Sequence, residues 1–319
     1  MKFSDAVAAF LAGYFSTCKR SPKTQGAYRS DLLQLQKYLS VDQDLGGVQA
    51  NQLEAWAAEL RAKAYTPAST RRKFATARVF FGYWVRKGAI DKSPLWKIRL
   101  DLGRGRVLPR SLAPSDAKRL IEQAWAGIPT HEVWTPPAAE STFLRLRNLA
   151  AIEILFATGM RVGELVSLKL SDWQDAEASF LVNGKGSRQR LAFLPDDRSL
   201  KAVRLYIRHR TAMSLNHDGL LLNAAGKRIS TQGIARVVNQ TAKDAGIEVR
   251  LTPHMIRHTV ATLLLRFGTD IRIVQEVLGH ASIATTQRYT HVSKDHLLST
   301  LRAKHPSHHL SIDLQARAS

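Results

Sequence analysis

Apolar residues return at helical spacing along most of this chain, and prolines and glycines punctuate the runs. Tyr28, Leu32, Leu35 and Leu39 fall at i, i+4, i+7 and i+11. Leu53, Trp56, Ala57 and Leu60 make a second stripe, and Phe74, Ala77, Phe81 and Trp84 a third. Ser21-Pro22 and Thr66-Pro67 stand where helices open, and Gly88 stands where one closes. Ser4 is placed to cap a first helix through Val7, Phe10, Leu11 and Tyr14. Such a pattern leaves residues 1 to 98 no route to a sheet, and it predicts a bundle of four or five helices.

The pattern continues downstream with one interruption. Pro114-Ser115-Asp116 opens a helix to Trp125, a buried helix ends at Gly159, and Arg161 begins the helix holding Glu164, Leu165 and Leu168. Phe180-Leu181-Val182 and Arg190-Leu191-Ala192-Phe193 read instead as short strands, joined through Asn183-Gly184-Lys185-Gly186 as a hairpin. Helices follow at 200–210, 231–245 and 253–267, with an extended stretch at 219–223. The 253–267 helix is opened by Pro253, carries Ile256, Val260, Leu263, Leu264 and Phe267, and is stopped by Gly268. Two more helices are expected, Asp270 to Leu278 and His296 to Ala303. The fold class is therefore mainly α with a small β-sheet. Residues 1–98 read as one domain, 99–113 as a basic Gly- and Pro-containing linker, 114–305 as a second domain and 306–319 as a tail.

Charge narrows the partner. The 319 residues carry 47 Lys+Arg against 26 Asp+Glu, a formal net charge of +21. A surplus of that size points to a polyanion, most simply nucleic acid. The candidate phosphate contacts are Lys23 and Arg29 on the second helix and Arg71, Arg72 and Lys73 on the fourth. Arg104 and Arg106 in the linker and Arg188 and Arg190 at the hairpin complete the set. No apolar run approaches the roughly 18 residues that span a bilayer, so no membrane is expected. Cys18 is the single cysteine, which excludes an internal disulfide. With no signal-peptide pattern at the N-terminus, a cytoplasmic, nucleoid-associated protein is expected.

The stretch from Leu251 to Val292 concentrates the chemistry: His254, Arg257, His258, His280, Tyr289 and His291 lie in one short segment. His254 and Arg257 are three apart, so both can project from one helix face. HMIRH lacks the glutamate of a zincin motif, so no metal is expected, and the resemblance carried by the motifs that follow implies no other cofactor. The ordered combination HxxR, LGH, TTxxYTH closely resembles the C-terminal box of the tyrosine recombinase (phage integrase) family. TGMRVGEL, residues 158–165, resembles the family's first box, and GKGSRQR, residues 184–190, its lysine-bearing β-hairpin. Residues 1–98 resemble the helical core-binding (SAM-like) domain of simple members. The ending YTHVSKDHLLSTLRAKHPSHH resembles the tail of Xer-type recombinases, whose terminal segment packs on a neighbouring protomer. GIPTHEVWTPPAAES, residues 127–141, departs from the family as an insertion.

The resemblance implies that Tyr289 is a nucleophile and that Arg161, Lys185, His254, Arg257 and His280 surround a scissile phosphate. It implies a 3′-phosphotyrosyl intermediate, and a homo- or hetero-tetramer on double-stranded DNA exchanging strands through a Holliday junction. The residue types suit that chemistry. A phenol of ordinary pKa about 10 needs help to attack, arginine forks grip phosphate oxygens, and histidines titrate near neutrality. Lys185 is the expected proton donor to the leaving 5′ oxygen, and Glu164 is expected to hold backbone or arginine in place. The alternatives are a type IB topoisomerase-like relaxing enzyme and a non-catalytic DNA-binding accessory protein. Relaxation without exchange would select the first, and the complete residue set argues against the second.

Overall fold

The computed structural model describes residues 1–18, 22–40, 43–96, 98, 111–128, 140–184, 189–213, 215–279 and 294–306, with backbone only for Lys23, Glu140 and 294–298. The chain divides into two compact units, Met1–Val107 and Leu108–Ser319. The division falls within the segment read as a linker.

The first unit is built from α1 (Phe3–Thr17), α2 (Pro22–Leu39), α3 (Ala50–Ala62) and α4 (Pro67–Arg86). The Thr66 hydroxyl accepts from Ser69 N at 3.2 Å, and Pro67 follows at the first helical position. The Gln52 side chain caps α3 by accepting from Gln49 N at 2.8 Å. Ser4 does not cap α1. Lys2 occupies that position without a side-chain bond, and the start of α1 is held by Phe3 N donating to Gln43 O. The three apolar stripes do face inward: Leu32, Leu35, Leu53, Trp56, Phe74 and Phe81 are buried. Aromatic rings fill the centre, with Phe10 edge-on to Phe80 at 5.4 Å and Trp56 against Phe74 at 5.0 Å.

One expectation about this unit is overturned. Lys73, read as a phosphate contact, is 4% exposed and donates to the buried Asp31 carboxylate at 3.0 Å. Thr76 donates to the same group at 3.1 Å, and Arg72 closes the cluster. A buried carboxylate needs compensating donors, and α4 supplies them from the stripe facing α2. Lys73 is therefore an internal cation, while Arg72 keeps half of its side chain in solvent. Arg29 and Arg71 lie exposed on α2 and α4. Arg104 and Arg106 lie outside the described residues.

In the second unit, α6 (Glu140–Thr158) is the central element. From Leu149 to Phe156 every residue except Glu153 is apolar, and the stretch is buried accordingly. Against it pack α5 (Pro114–Trp125), α8 (Asp197–Ala212) and α10 (Pro253–Arg266). Its one charge in that stretch, Glu153, accepts from Trp125 Nε1 at 2.6 Å and from Arg198 Nε at 2.8 Å. The remaining helices are α7 (Val162–Ser167), α9 (Thr231–Asp244), α11 (Ile271–Leu278) and α12 (Lys294–Lys304).

The sheet has three antiparallel strands in the order β1 (Trp173–Gln174), β2 (Ser179–Asn183) and β3 (Gln189–Phe193). Sequence periodicity missed β1, which has only two residues. The register pairs Phe180 with Ala192 and Val182 with Arg190. Directly paired residues share a face, so Arg190 lies on the core-facing side with Phe180 and Val182.

The segment 219–223, expected to be extended, bends at Leu220 and Leu221 and makes only isolated bridges, Gly219 with Lys169 and Leu222 with Arg228, without joining the sheet. Tyr206, on α8, fixes it by donating to Leu220 O at 2.9 Å and accepting from Leu222 N at 3.2 Å. Burial pushes the Tyr206 phenol up to about 12, so it stays a neutral donor. α8 starts at Asp197, three residues before the expected Leu200, because Asp196 caps it by accepting from Ser199 N at 2.7 Å. α12 docks on this unit, with Leu301 in the core and Lys304 Nζ donating to Gly268 O at 2.9 Å.

Candidate active site

Two helix ends and one strand converge here. α6 stops at Gly159, whose φ of +58° ends the helix in the left-handed region. A Cβ at Gly159 would stand 2.6 Å from Leu278 Cδ2 and 3.3 Å from Val260 Cγ1. The absent side chain thus lets α10 and α11 close on the turn. Two residues on, Arg161 precedes α7 with extended backbone, and the Glu164 side chain accepts from Arg161 N at 3.1 Å. This is half of a capping box, and it sets the start of α7.

The same carboxylate organises the guanidiniums. Glu164 Oε1 accepts from Arg161 Nη1 at 2.8 Å, and Oε2 accepts from Arg190 Nη2 at 3.0 Å. Arg161 also reaches the end of α11, donating through Nη1 and Nη2 to Gly279 O at 3.2 Å each. Arg190 Nε donates to Val277 O at 3.4 Å. Gly279 has φ +64°, and a Cβ there would come within 3.0–3.2 Å of the Arg190 guanidinium. Arg257, on α10, turns inward and donates through Nη1 to Gly159 O at 2.8 Å. Its Nη2 is buried and has no hydrogen-bond partner among the described residues.

Two guanidiniums therefore share one carboxylate, and the third, Arg257, feels its charge without bonding it. Burial works to raise the Glu164 pKa, but Arg190's charge and the bonds from Arg161 and Arg190 outweigh it and hold the carboxyl below its ordinary value. Burial, then the like charge of Arg161, pushes Arg257 down to about 10, with Glu164 offsetting part and Arg190 adding to the fall. Arg257 stays charged at neutral pH. Arg161 is 46% exposed at its side chain, whereas Arg257 is 5% exposed. The arrangement suits an anion whose oxygens can take an unpaired N–H and the outer edge of Arg161.

Arg161 and Arg257 stand close enough for their charges to interact, and Glu164 holds both the backbone and the side chain of Arg161. His254 sits exposed at the start of α10 while Arg257, one turn on, runs inward. The two do not share a common exposure. His258 is half-buried. Lys185, Arg188, His280 and Tyr289 lie outside the described residues. Among the described residues no group of three or more His, Cys, Asp or Glu side chains is placed to hold a metal ion. No helix of those residues is long and apolar enough to cross a membrane. Sequence reading missed the carbonyls of Gly159 and Gly279 as arginine acceptors; the signal was a glycine beside each catalytic box.

Comparison with known proteins gives the family. Residues 137–296 match the phage integrase family, and residues 7–88 match the phage integrase N-terminal SAM-like domain. The chain belongs to the phage integrase, or tyrosine recombinase, family. A tyrosine recombinase of Agathobacter rectalis is 32% identical over 305 residues, covering 94% of this chain and 96% of the relative. A tyrosine recombinase XerD of Listeria monocytogenes is 33% identical over 314 residues, covering 95% and 99%. Among solved structures, a lambda integrase dimer bound to a COC′ core site superposes with a TM-score of 0.67 at 18% identity, covering 92% of this chain and all of that one. The Tn1549 transposon integrase in complex with circular intermediate DNA gives 0.69 at 18% identity, covering 94% and 99%. These two likenesses are of fold. The family match spans Arg161, Arg190 and Arg257 and the segment from Leu251 to Val292.

Proposed function

We propose that this chain is a site-specific DNA recombinase that cuts and rejoins duplex DNA through a covalent bond to Tyr289. The observation that carries the reading is the pairing of Arg161 and Arg257 across the Gly159 turn, with a buried Arg257 N–H left for an anion. In this reading the two guanidiniums bind the non-bridging oxygens of the scissile phosphate. The Tyr289 oxygen attacks phosphorus in line as the bond to the 5′ oxygen breaks, and Lys185 gives that oxygen its proton. His254 and His280 donate to the phosphate or relay protons. The 3′-phosphotyrosyl bond keeps the energy of the phosphodiester, so a 5′-hydroxyl from a second duplex can reverse the step. Relatives carry the name tyrosine recombinase, and one solved neighbour is a lambda integrase tetramer bound to a Holliday junction. By analogy this chain works as a tetramer on two DNA sites, its C-terminal segment contributing to assembly, in the cytoplasm on chromosomal or mobile-element DNA.

The test is to denature the protein on fragmented genomic DNA, recover covalently attached fragments and sequence them. One recurring site should emerge. Tyr289→Phe, which removes one oxygen and keeps the ring, should bind that site and recover nothing covalently. An adduct formed by the Phe variant, or none formed by the parent, overturns the reading. Relaxation of supercoiled plasmid without exchange between two sites would reassign the chain as a topoisomerase-like enzyme.

A further inference from the structure

The register of the small sheet puts a cation where a core residue belongs. Along the inner face of β2 and β3 the paired positions are Phe180 with Ala192 and Val182 with Arg190, and the first three of these are buried. Arg190 is 15% exposed at its side chain. An arginine in that position needs partners, and it finds them on two other elements. Nη2 meets Glu164 of α7 at 3.0 Å, and Nε meets Val277 O in the last turn of α11 at 3.4 Å. The glycine at 279 leaves the space that the guanidinium occupies. Glu164 in turn holds Arg161, and Arg161 holds Gly279 O. One side chain therefore joins the root of the hairpin, the start of α7 and the end of α11. In sequence Arg190 follows Lys185 by five positions, and Gly279 directly precedes His280.

We propose that Arg190 is a positioning residue for strand cleavage, setting the hairpin that carries Lys185 in register with Arg161 rather than touching the DNA itself. The inference rests on the recombinase reading above and adds a residue to its machinery. Arg190 points away from solvent and its Nη2 and Nε are engaged, which separates it from Arg161, whose outer edge is open. Removing Arg190 leaves Arg161 its own bond to Glu164 and its bonds to Gly279 O. The loss should therefore fall on the proton-donating side of the reaction, not on phosphate binding.

The experiment uses the full chain and a nicked duplex of the sequence recovered by covalent trapping. It compares Arg190→Gln and Arg190→Lys with Lys185→Ala and the unsubstituted protein. Each is assayed for site binding, for the rate of adduct formation, and for that rate when the bridging 5′ oxygen is sulfur. A thiolate leaves without a proton, so sulfur bypasses the general acid. Misplacing a reacting group by about 1 Å can cost roughly 10²-fold. Arg190→Gln should lose about that much rate on the oxygen substrate with binding unchanged, and most of the loss should vanish on sulfur. Combined with Lys185→Ala it should add little further loss, because both act at one step. Arg190→Lys keeps the charge but cannot bridge Glu164 and Val277 O together, so it should show a smaller, equally sulfur-sensitive defect. A defect that persists on sulfur makes Arg190 a phosphate ligand and overturns the proposal. So does parallel loss of binding and rate in both variants, which is what a merely structural residue gives. If the unsubstituted protein forms no adduct, the recombinase reading falls and takes this inference with it; if the adduct forms and only the Arg190 pattern fails, the reading stands alone.

Discussion

Glu164 is the residue on which the charge balance of the site turns. It faces Arg161 and Arg190 directly and moderates Arg257. Replacing it by Gln keeps the shape and removes the only carboxylate hydrogen-bonded to Arg161 and Arg190 among the described residues. Breaking a buried pair from one side costs about 3–5 kcal/mol, so Glu164→Gln should lower the unfolding free energy at neutral pH, read by urea titration, by a margin of that order. The sign with pH follows from the depressed pKa. The carboxylate contributes stability above its unfolded value, near 4.5, and loses it as pH falls through the lower folded value. The gap between parent and variant should therefore close on acidification below pH about 4. A gap of constant size across that range would mean the carboxylate is not what stabilises this turn.

At the scale of elements, Gly159 makes the sharpest demand. It combines a left-handed backbone with a Cβ position 2.6 Å from Leu278. Gly159→Ala should cost about 2–4 kcal/mol from backbone strain and overpacking together, read by urea unfolding, and it should move the carbonyl that holds Arg257. A variant as stable as the parent would contradict this account of the turn. Most of the helices were legible because their signals are local. Thr66-Pro67, Thr252-Pro253 and Asp270 cap or open helices through bonds made within one turn. What was not legible depended on partners distant in sequence. Lys73 looks like a neighbour of Arg71 and Arg72 until Asp31, 42 positions away, is seen across the bundle. Arg190 reads from the sequence as a phosphate contact at the hairpin, yet pairing with β2 sets it beside the buried Val182. Of the candidate site, the residue types were legible and the carbonyl acceptors were not, since a backbone oxygen leaves no mark of its own in a sequence.

For the whole molecule, a surplus of +21 should dominate affinity for DNA. Binding that neutralises 6–10 phosphates loses about 10³–10⁵ in affinity between 50 and 200 mM salt, and titration across that range should show a slope of this kind. A flat response would remove the case for a phosphate-tracking surface. Leu301 belongs to the core of the second unit and Lys304 ties α12 to Gly268. Removing everything after His291 takes away these contacts and should lower the melting midpoint. An unchanged midpoint would deny α12 its place in the fold. The carbonyls of Gly159 and Gly279 bear on this surplus at its most local point. A carboxylate that fixes an arginine also cancels it. A peptide oxygen fixes the guanidinium plane and leaves the full cation to be felt by whatever arrives. Arg257 is aimed without a carboxylate partner of its own, and Arg161 shares one with Arg190. In the proposed reading, what a scissile phosphate meets is this uncancelled charge, so orientation and attraction come from the same few atoms.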